Sequence, residues 1–329
     1  MPTAPYRLLG RTGVRVSKLC LGTWMFGTRA DEEESIRIVH TALDAGINFV
    51  DTSNRYGRLN NAAEDYGGGA SEIYIGKALK ERGPSARREV ILATKVFGAM
   101  GPGPNQRGLS RVHIAGALED SLQRLQTDYV DLYYLHWPDP ETSLDETART
   151  MDDLVRAGKI RYWATSNHPA WKVTRLHWLS QQGGLHPPVA EQSPYSLLNR
   201  APERELLPCA RALGFAVNPY SPLAGGLLTG KYHTGGPPPP DSRATWNAGA
   251  ARRAADARTG QIVAAASAIA SDLGRPLSQV ALNWVASQPG VTSPIIGPRT
   301  VDQLRDNAGA LSWEFPREAL DLLSALPAA

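Results

Sequence analysis

The sequence holds little that could fix a fold by cross-linking or by metal. Only two cysteines occur, Cys20 and Cys209, far apart and in no C-x-x-C or other metal-ligand spacing. That argues against a disulfide framework or a bound metal, and it suits a reducing compartment. No apolar run reaches the roughly 18 residues needed to span a bilayer, and the opening MPTAPYRLLGRTGVRV has no apolar signal core. The expected location is the cytoplasm, away from membranes. Charge of one sign is also scarce: the net charge is +3, with basic residues scattered among acidic ones, so no nucleic-acid-binding face is expected. The strand-linked G-x-G-x-x-G fingerprint of Rossmann dinucleotide sites is missing as well.

What is present is a rhythm. Short apolar runs suited to strands alternate with longer stretches of helical period, as repeated βα units around a parallel sheet require. The start reads as a small hairpin turning at Arg11-Thr12-Gly13 and capping the bottom of a barrel, with a first strand ending near Leu21. Further strands are expected at 47–50, 90–94, 129–135, 160–165, 188–192, 215–220 and 293–297, which makes eight. Between the first two, DEEESIRIVHTALDAG places Ile36, Val39, His40 and Leu43 on one helical face with Gly46 at the C-cap. At 329 residues and 42% hydrophobic, the chain has the size and core content of one (β/α)8 TIM barrel, so residues 1–329 are expected to form a single barrel domain. Two segments break the rhythm: 57–70, rich in Gly and Asn, and 231–258, with four consecutive prolines. Each follows a strand, so both are expected as long loops on the active-site face.

In such barrels the reacting residues sit where strands end. Asp51 follows INFV, Lys95 follows VILAT and His136 follows YVDLYYL, while Tyr56 lies on the loop leaving the Asp51 strand. Singly, each has an ordinary alternative: a helix N-cap for Asp, a solvated Lys, a satisfied rim His. Together they suit carbonyl reduction. A Tyr phenol is a poor acid at neutral pH unless a cation stabilises its phenolate. Lys95 supplies that cation, Asp51 holds the ammonium, and His136 donates a hydrogen bond to the substrate carbonyl. Hydride must then come from a cofactor. Barrels often hold phosphate near strands seven and eight, and there Lys231 and Arg299 are suitably placed.

At these residues the sequence resembles the aldo-keto reductase family, from about residue 6 to residue 326. DTSNRYG, ILATKV and YLHWPD look like the blocks that carry the family's tetrad, here Asp51, Tyr56, Lys95 and His136. The resemblance implies NADPH as cofactor, with Ser166, Asn167 and Gln192 on the carboxamide and Tyr220 stacked on the nicotinamide ring. It also implies pyrophosphate-loop contacts from Ser221, Pro222 and Leu223, with Lys231 the basic residue of that loop and Arg243 the basic clamp of relatives that share the long loop. GPRTVDQLRDN is similar to the adenosine-end motif, giving Gly297, Arg299, Gln303, Asp306 and Asn307. Arg299 would take the 2′-phosphate, because a guanidinium matches phosphate geometry. LGTWMFG, with SPLAGGLLTGKY and SRA, looks closest to potassium-channel β subunits and their soluble bacterial relatives. It implies Gly22, Thr23 and Trp24 beside the cofactor. Trp24 and Trp137 would line the substrate pocket with Tyr56 and His136; core packing is the alternative for both tryptophans.

Three functional classes compete. Reduction of a small-molecule aldehyde or ketone, or the same reaction run backwards as an NAD(P)+-dependent sugar or alcohol dehydrogenase, uses the full tetrad. A redox-sensing channel subunit is opposed by the lack of a long extension before the hairpin. A Schiff-base enzyme on Lys95 is opposed by the adenosine-end motif. The substrate and the oligomeric state, including a homo-oligomer, stay open. One departure from the family pattern bears on the tetrad: the chain inserts RLNNAAEDYGGGA after the first Tyr-Gly and so offers a second, at Tyr66. The spacing from Asp51 favours Tyr56. We therefore expect Tyr56→Phe to lower carbonyl turnover at least about a hundredfold and Tyr66→Phe to leave it within about twofold. The opposite pattern in steady-state kinetics would move the proton donor to Tyr66.

Overall fold

The computed structural model describes residues 6–57, 67–232 and 237–328. A hairpin, β1 (Tyr6–Leu8) with β2 (Arg15–Ser17), precedes eight parallel strands. These are β3 (Cys20–Gly22), β4 (Phe49–Asp51), β5 (Ile91–Val96), β6 (Val130–Leu135), β7 (Ile160–Ser166), β8 (Ala190–Gln192), β9 (Ala216–Val217) and β10 (Ile295–Ile296). Their order in the sheet is β10-β3-β4-β5-β6-β7-β8-β9. The ends are joined by parallel bridges Val217–Val291 and Tyr220–Ile295, with Ile295 N donating to Pro219 O at 2.7 Å. Helices follow the strands, among them Glu32–Asp44, Ala70–Glu81, Arg111–Leu125, Leu144–Arg156 and Ala170–Gly183, and the result is the (β/α)8 barrel. No helix among the described residues is long and apolar enough to cross a membrane.

The strands are short and buried on both faces, so side-chain period decides what each position does. One set of alternate residues, Cys20, Phe49, Ala93, Leu132, Tyr134, Ala164, Ala190, Ala216 and Ile295, fills the barrel interior. The other set, including Val50, Leu92, Val96, Tyr133, Trp163 and Val217, packs outward against the helices. Continuing the inward set one step toward the C-terminal ends of the strands reaches Asp51, Lys95, His136, Ser166, Gln192 and Asn218. The apolar core and the polar rim are thus two layers of one pattern. At the opposite end Leu9 is fully buried in the interior cluster, so the hairpin closes the barrel floor. Gly10 permits this approach: its φ is +59°, and a Cβ there would lie 2.9 Å from the carbonyl oxygens of Gly214 and Val189.

Three local expectations need correction. The Glu32–Asp44 helix buries Ser35, Ile38, Val39 and Ala42; Ile36 and Leu43 flank this face, and His40 instead bonds Ala78 O. Small Ser35 and Ala42 allow closer approach than the bulkier stripe chosen by hydropathy. The C-cap is Ala45, and Gly46 follows it with φ +78°. The 231–258 segment is not all loop. Beyond the prolines it forms Arg243–Trp246 and Ala248–Ala254, with the side chain of Asn247 capping the second, and Ala257 then opens the helix to Asp272. Within 57–70, residues 58–66, Tyr66 included, lie outside the described residues.

Because Leu9 plugs an otherwise open barrel end, Leu9→Ala should cost about 3 kcal/mol of unfolding free energy. Urea denaturation measures this, and a loss below about 1 kcal/mol would mean the hairpin is not what seals the floor.

Candidate active site

Register brings the four candidate residues together. Asp51 pairs with Ala93 across β4 and β5, which puts Lys95 one inward step further toward the rim. The chain leaving β4 stays beside β5, with Thr52 N on Ala93 O and Asn54 N on Lys95 O. This path turns Asp51, Thr52 and Tyr56 toward one ammonium. Lys95 Nζ donates to Asp51 Oδ2 at 2.6 Å, to Thr52 O at 2.8 Å and to Tyr56 OH at 3.2 Å. Lys95 is fully buried, so its three acceptors meet the three donors of an ammonium that has no water. Gln192 Nε2 donates to the other Asp51 oxygen at 2.7 Å. Donors on both oxygens match an ionised carboxylate.

Electrostatics assign the protons. Burial lowers Lys95, but Asp51 and Tyr56 outweigh it and leave it above its ordinary value, so it is charged. Burial raises Asp51, opposed by Lys95 and Gln192. The phenol of Tyr56 is raised by burial, with Lys95 pulling the other way. Contrary to the simplest expectation from sequence, Lys95 therefore does not make Tyr56 an unusually strong resting acid. It limits the cost of a phenolate whose proton stays in place until a basic oxygen arrives. His136 is lowered to about 3 by burial and by the positive charges of Lys95 and Arg55, so at neutral pH it is an uncharged imidazole. Its ring meets Tyr56 edge-on at 5.9 Å between centroids and stacks on Trp137 at 6.3 Å.

The remaining candidates divide by their surroundings. Ser166, Asn167, Gln192 and Tyr220 form one hydrogen-bonded set: Tyr220 OH donates to Asn167 Oδ1 at 2.9 Å, Asn167 Nδ2 to His136 O at 3.0 Å, and Ser166 Oγ to Gln192 O at 3.1 Å. Trp24 and Trp137 are 42% and 47% exposed at the rim, so neither is a core residue. Thr23 is fully buried, bonded through its hydroxyl to Asp51 O and Ser71 Oγ, and Gly22 is kept small by Ile295, whose Cγ2 would lie 2.4 Å from a Cβ. Asp306 accepts from Ser278 Oγ and Gln279 Nε2. Gln303 accepts from Arg299 N, Asn307 is buried, and Gly297 faces open space.

A phosphate-bearing cofactor fits the loop after β9. Ser221, Ala224, Gly225 and Gly226 are all left-handed, and Pro222 and Leu223 lie between them. Arg243 Nη1 lies 3.4 Å from a Cβ placed on Gly225, and Lys231 Nζ 3.1 Å from one on Gly226, so two cations bracket a bare backbone turn. Arg243 Nε is buried with no hydrogen-bond partner among the described residues, a donor that an anion would satisfy. The Arg243 guanidinium lies over Trp24 at 4.6 Å, and Arg299 Nη1 donates to Asp241 O at 2.7 Å. Both contacts tie this loop to the rim.

Sequence reading missed three residues. Thr52 acts through its carbonyl, which no side-chain motif reveals. Ser53 is fully buried, 3.3 Å from His136 Nδ1; its place inside DTSNRYG was the available signal. Glu191 points outward from β8 and accepts His168 N at 3.0 Å, beneath the turn carrying Asn167. Its Oε2 has no hydrogen-bond partner among the described residues.

The sequence profile of the Aldo/keto reductase family matches residues 18–327. "Uncharacterized oxidoreductase YrpG" of Bacillus subtilis (strain 168) is 42% identical over 326 residues, covering 97% of this chain and 94% of that protein. A "Probable voltage-gated potassium channel subunit beta" of Oryza sativa subsp. japonica is 38% identical over 309 residues, 93% of this chain and 90% of its own. One of the same description from Arabidopsis thaliana is 37% identical over 309 residues, with the same coverage.

Glu191 makes the stability of the fold depend on pH. Burial raises its carboxyl from 4.5 to about 8. Well below pH 4.5 the carboxyl keeps its proton in both the folded and the unfolded chain. Between 4.5 and about 8 the unfolded chain has lost the proton that the fold keeps, so stability falls as pH rises and levels off above about 8. Glu191→Gln should raise unfolding free energy by about 4 kcal/mol at pH 7.5 and by under about half a kcal/mol at pH 4.5. A pH-independent difference in denaturant titrations would show that Glu191 is ionised in the fold.

Proposed function

The chain belongs to the aldo/keto reductase family, an oxidoreductase family that uses nicotinamide cofactors, and we propose that it reduces an aldehyde or ketone to an alcohol with NADPH. The observation that carries this reading is the 3.2 Å contact of Lys95 Nζ with Tyr56 OH inside a buried, fully satisfied donor set.

Ser166, Asn167, Gln192 and Tyr220 would hold the nicotinamide, which when bound would supply hydride to the carbonyl carbon. The protein's own residues handle the oxygen. Neutral His136 donates a hydrogen bond that orients and polarises it. As negative charge develops there, the phenol of Tyr56 transfers its proton to the oxygen, and Lys95 holds the resulting phenolate. Asp51 keeps the ammonium aimed and charged. Trp24 and Trp137 at the rim shield the reacting oxygen from water and offer flat apolar faces to the rest of the substrate. The alcohol dehydrogenase direction uses the same groups in reverse.

Preference for the phosphorylated cofactor rests on Arg299, which lies in the chain between β10 and the Val301–Gly309 helix. Lys231 and Arg243 serve the pyrophosphate common to both cofactors. Titration of NADPH, and separately NADH, against tryptophan fluorescence tests the assignment. Arg299→Ala should weaken NADPH about tenfold or more and NADH less than about twofold. Equal losses for both would remove the 2′-phosphate role, and no saturable quenching by either cofactor in the unaltered protein would remove the nicotinamide reading itself.

A further inference from the structure

The reaction needs a hydrogen on the imidazole nitrogen that meets the substrate, and a neutral ring carries only one. Burial excludes the doubly protonated form that would serve without any tautomer choice. Something must therefore fix which nitrogen holds the proton, and the usual device is the hydrogen bond made by the other one.

That partner is Ser53. Its Oγ lies 3.3 Å from His136 Nδ1, in a fully buried position. The same oxygen already accepts Arg55 N at 3.2 Å. Its single proton has two destinations, His136 Nδ1 and the neighbouring Asn54 Oδ1 at 3.4 Å, of which the imidazole is both nearer and more basic. Asn54 Nδ2 is buried without a partner among the described residues. Turning the Asn54 amide through half a revolution would set that donor on Ser53 Oγ and leave the hydroxyl proton only His136 to bond. His136 Nε2, across the ring, has no hydrogen-bond partner among the described residues and is the nitrogen left to meet a substrate oxygen.

We propose that Ser53 is a positioning residue that sets the tautomer of His136: its hydroxyl donates to Nδ1, so the ring proton resides on Nε2 and points at the substrate oxygen. The inference rests on the reductase reading for its catalytic meaning, while the tautomer itself can be observed without substrate or cofactor. Ser53 is fully buried, on the Nδ1 side of the ring, and acts through the imidazole.

The experiment is long-range proton–nitrogen correlation NMR of the imidazoles in the full-length 15N-labelled protein at pH 7. The chain has seven histidines, so the His136 pattern is assigned by its disappearance in His136→Gln. The expected result is an Nε2-protonated ring in the unaltered protein that becomes a mixture of tautomers, or switches, in Ser53→Ala. In that variant kcat for carbonyl reduction should fall about tenfold or more, with the Kd for NADPH changed less than about twofold. An Nδ1-protonated ring in the unaltered protein overturns the proposal, and so does a tautomer that Ser53→Ala leaves untouched. Absence of any NADPH-dependent carbonyl turnover in the unaltered protein would instead sink the reductase reading and leave the tautomer result standing.

Discussion

A fully buried ammonium is the constraint on which this structure turns. Lys95 has no access to water, and an unpaired charge at that depth would cost more than a domain of this size has in reserve. Its position is tolerated only because Asp51, Thr52 O and Tyr56 OH meet its three hydrogens. Removing one partner of such a pair typically costs about 3–5 kcal/mol, since the other charge is left uncompensated. The acceptors come from β4 and the chain leaving it, the donor from β5. The register of that strand pair therefore fixes both the stability of the rim and the separation of Lys95 and Tyr56.

Around that pair the site is built from sequence-distant pieces whose contacts support one another. Gln192 on β8 steadies the carboxylate, Asn167 beyond β7 bonds the backbone of His136, and Tyr220 beyond β9 bonds Asn167. The loop after β9 reaches back across the rim: Arg243 lies over Trp24, and Arg29 lies over Trp246 at 4.6 Å. These cation–π contacts span the side on which the phosphate-fitting turn opens. Unpaired donors such as Arg243 Nε would be satisfied there by the anionic oxygens of the cofactor in the proposed reading.

Much of this was legible in the residues. Strand positions followed from short apolar runs, and the gathering of Asp51, Lys95 and His136 at one rim from asking which ionisable residues stand at strand ends. The hairpin was read from its turn, and Leu9 shows why it is there: the barrel floor needs a plug. What was not legible has identifiable causes. The helices at 243–254 follow a proline run that masks them, and they rely on a side-chain cap and on packing of Ala244 and Ala250 rather than on a strong apolar stripe. The buried face of the Glu32–Asp44 helix uses Ser35 and Ala42, which hydropathy undervalues. Thr52 contributes a carbonyl, and Ser53 and Glu191 act on neighbours visible only in three dimensions. The raised phenol of Tyr56 likewise follows from burial, which a motif does not report.

The central claim is that hydride passes to a carbonyl carbon while Tyr56 protonates its oxygen. Its most direct test is a single turnover with NADPH deuterated at the transferable C4 position, across a panel of simple aldehydes and ketones, followed by mass analysis of the products. The account predicts an alcohol carrying one deuterium on the former carbonyl carbon, with its hydroxyl hydrogen taken from solvent by way of Tyr56. Unlabelled alcohol, or cofactor that binds and is never oxidised by any member of the panel, would contradict it.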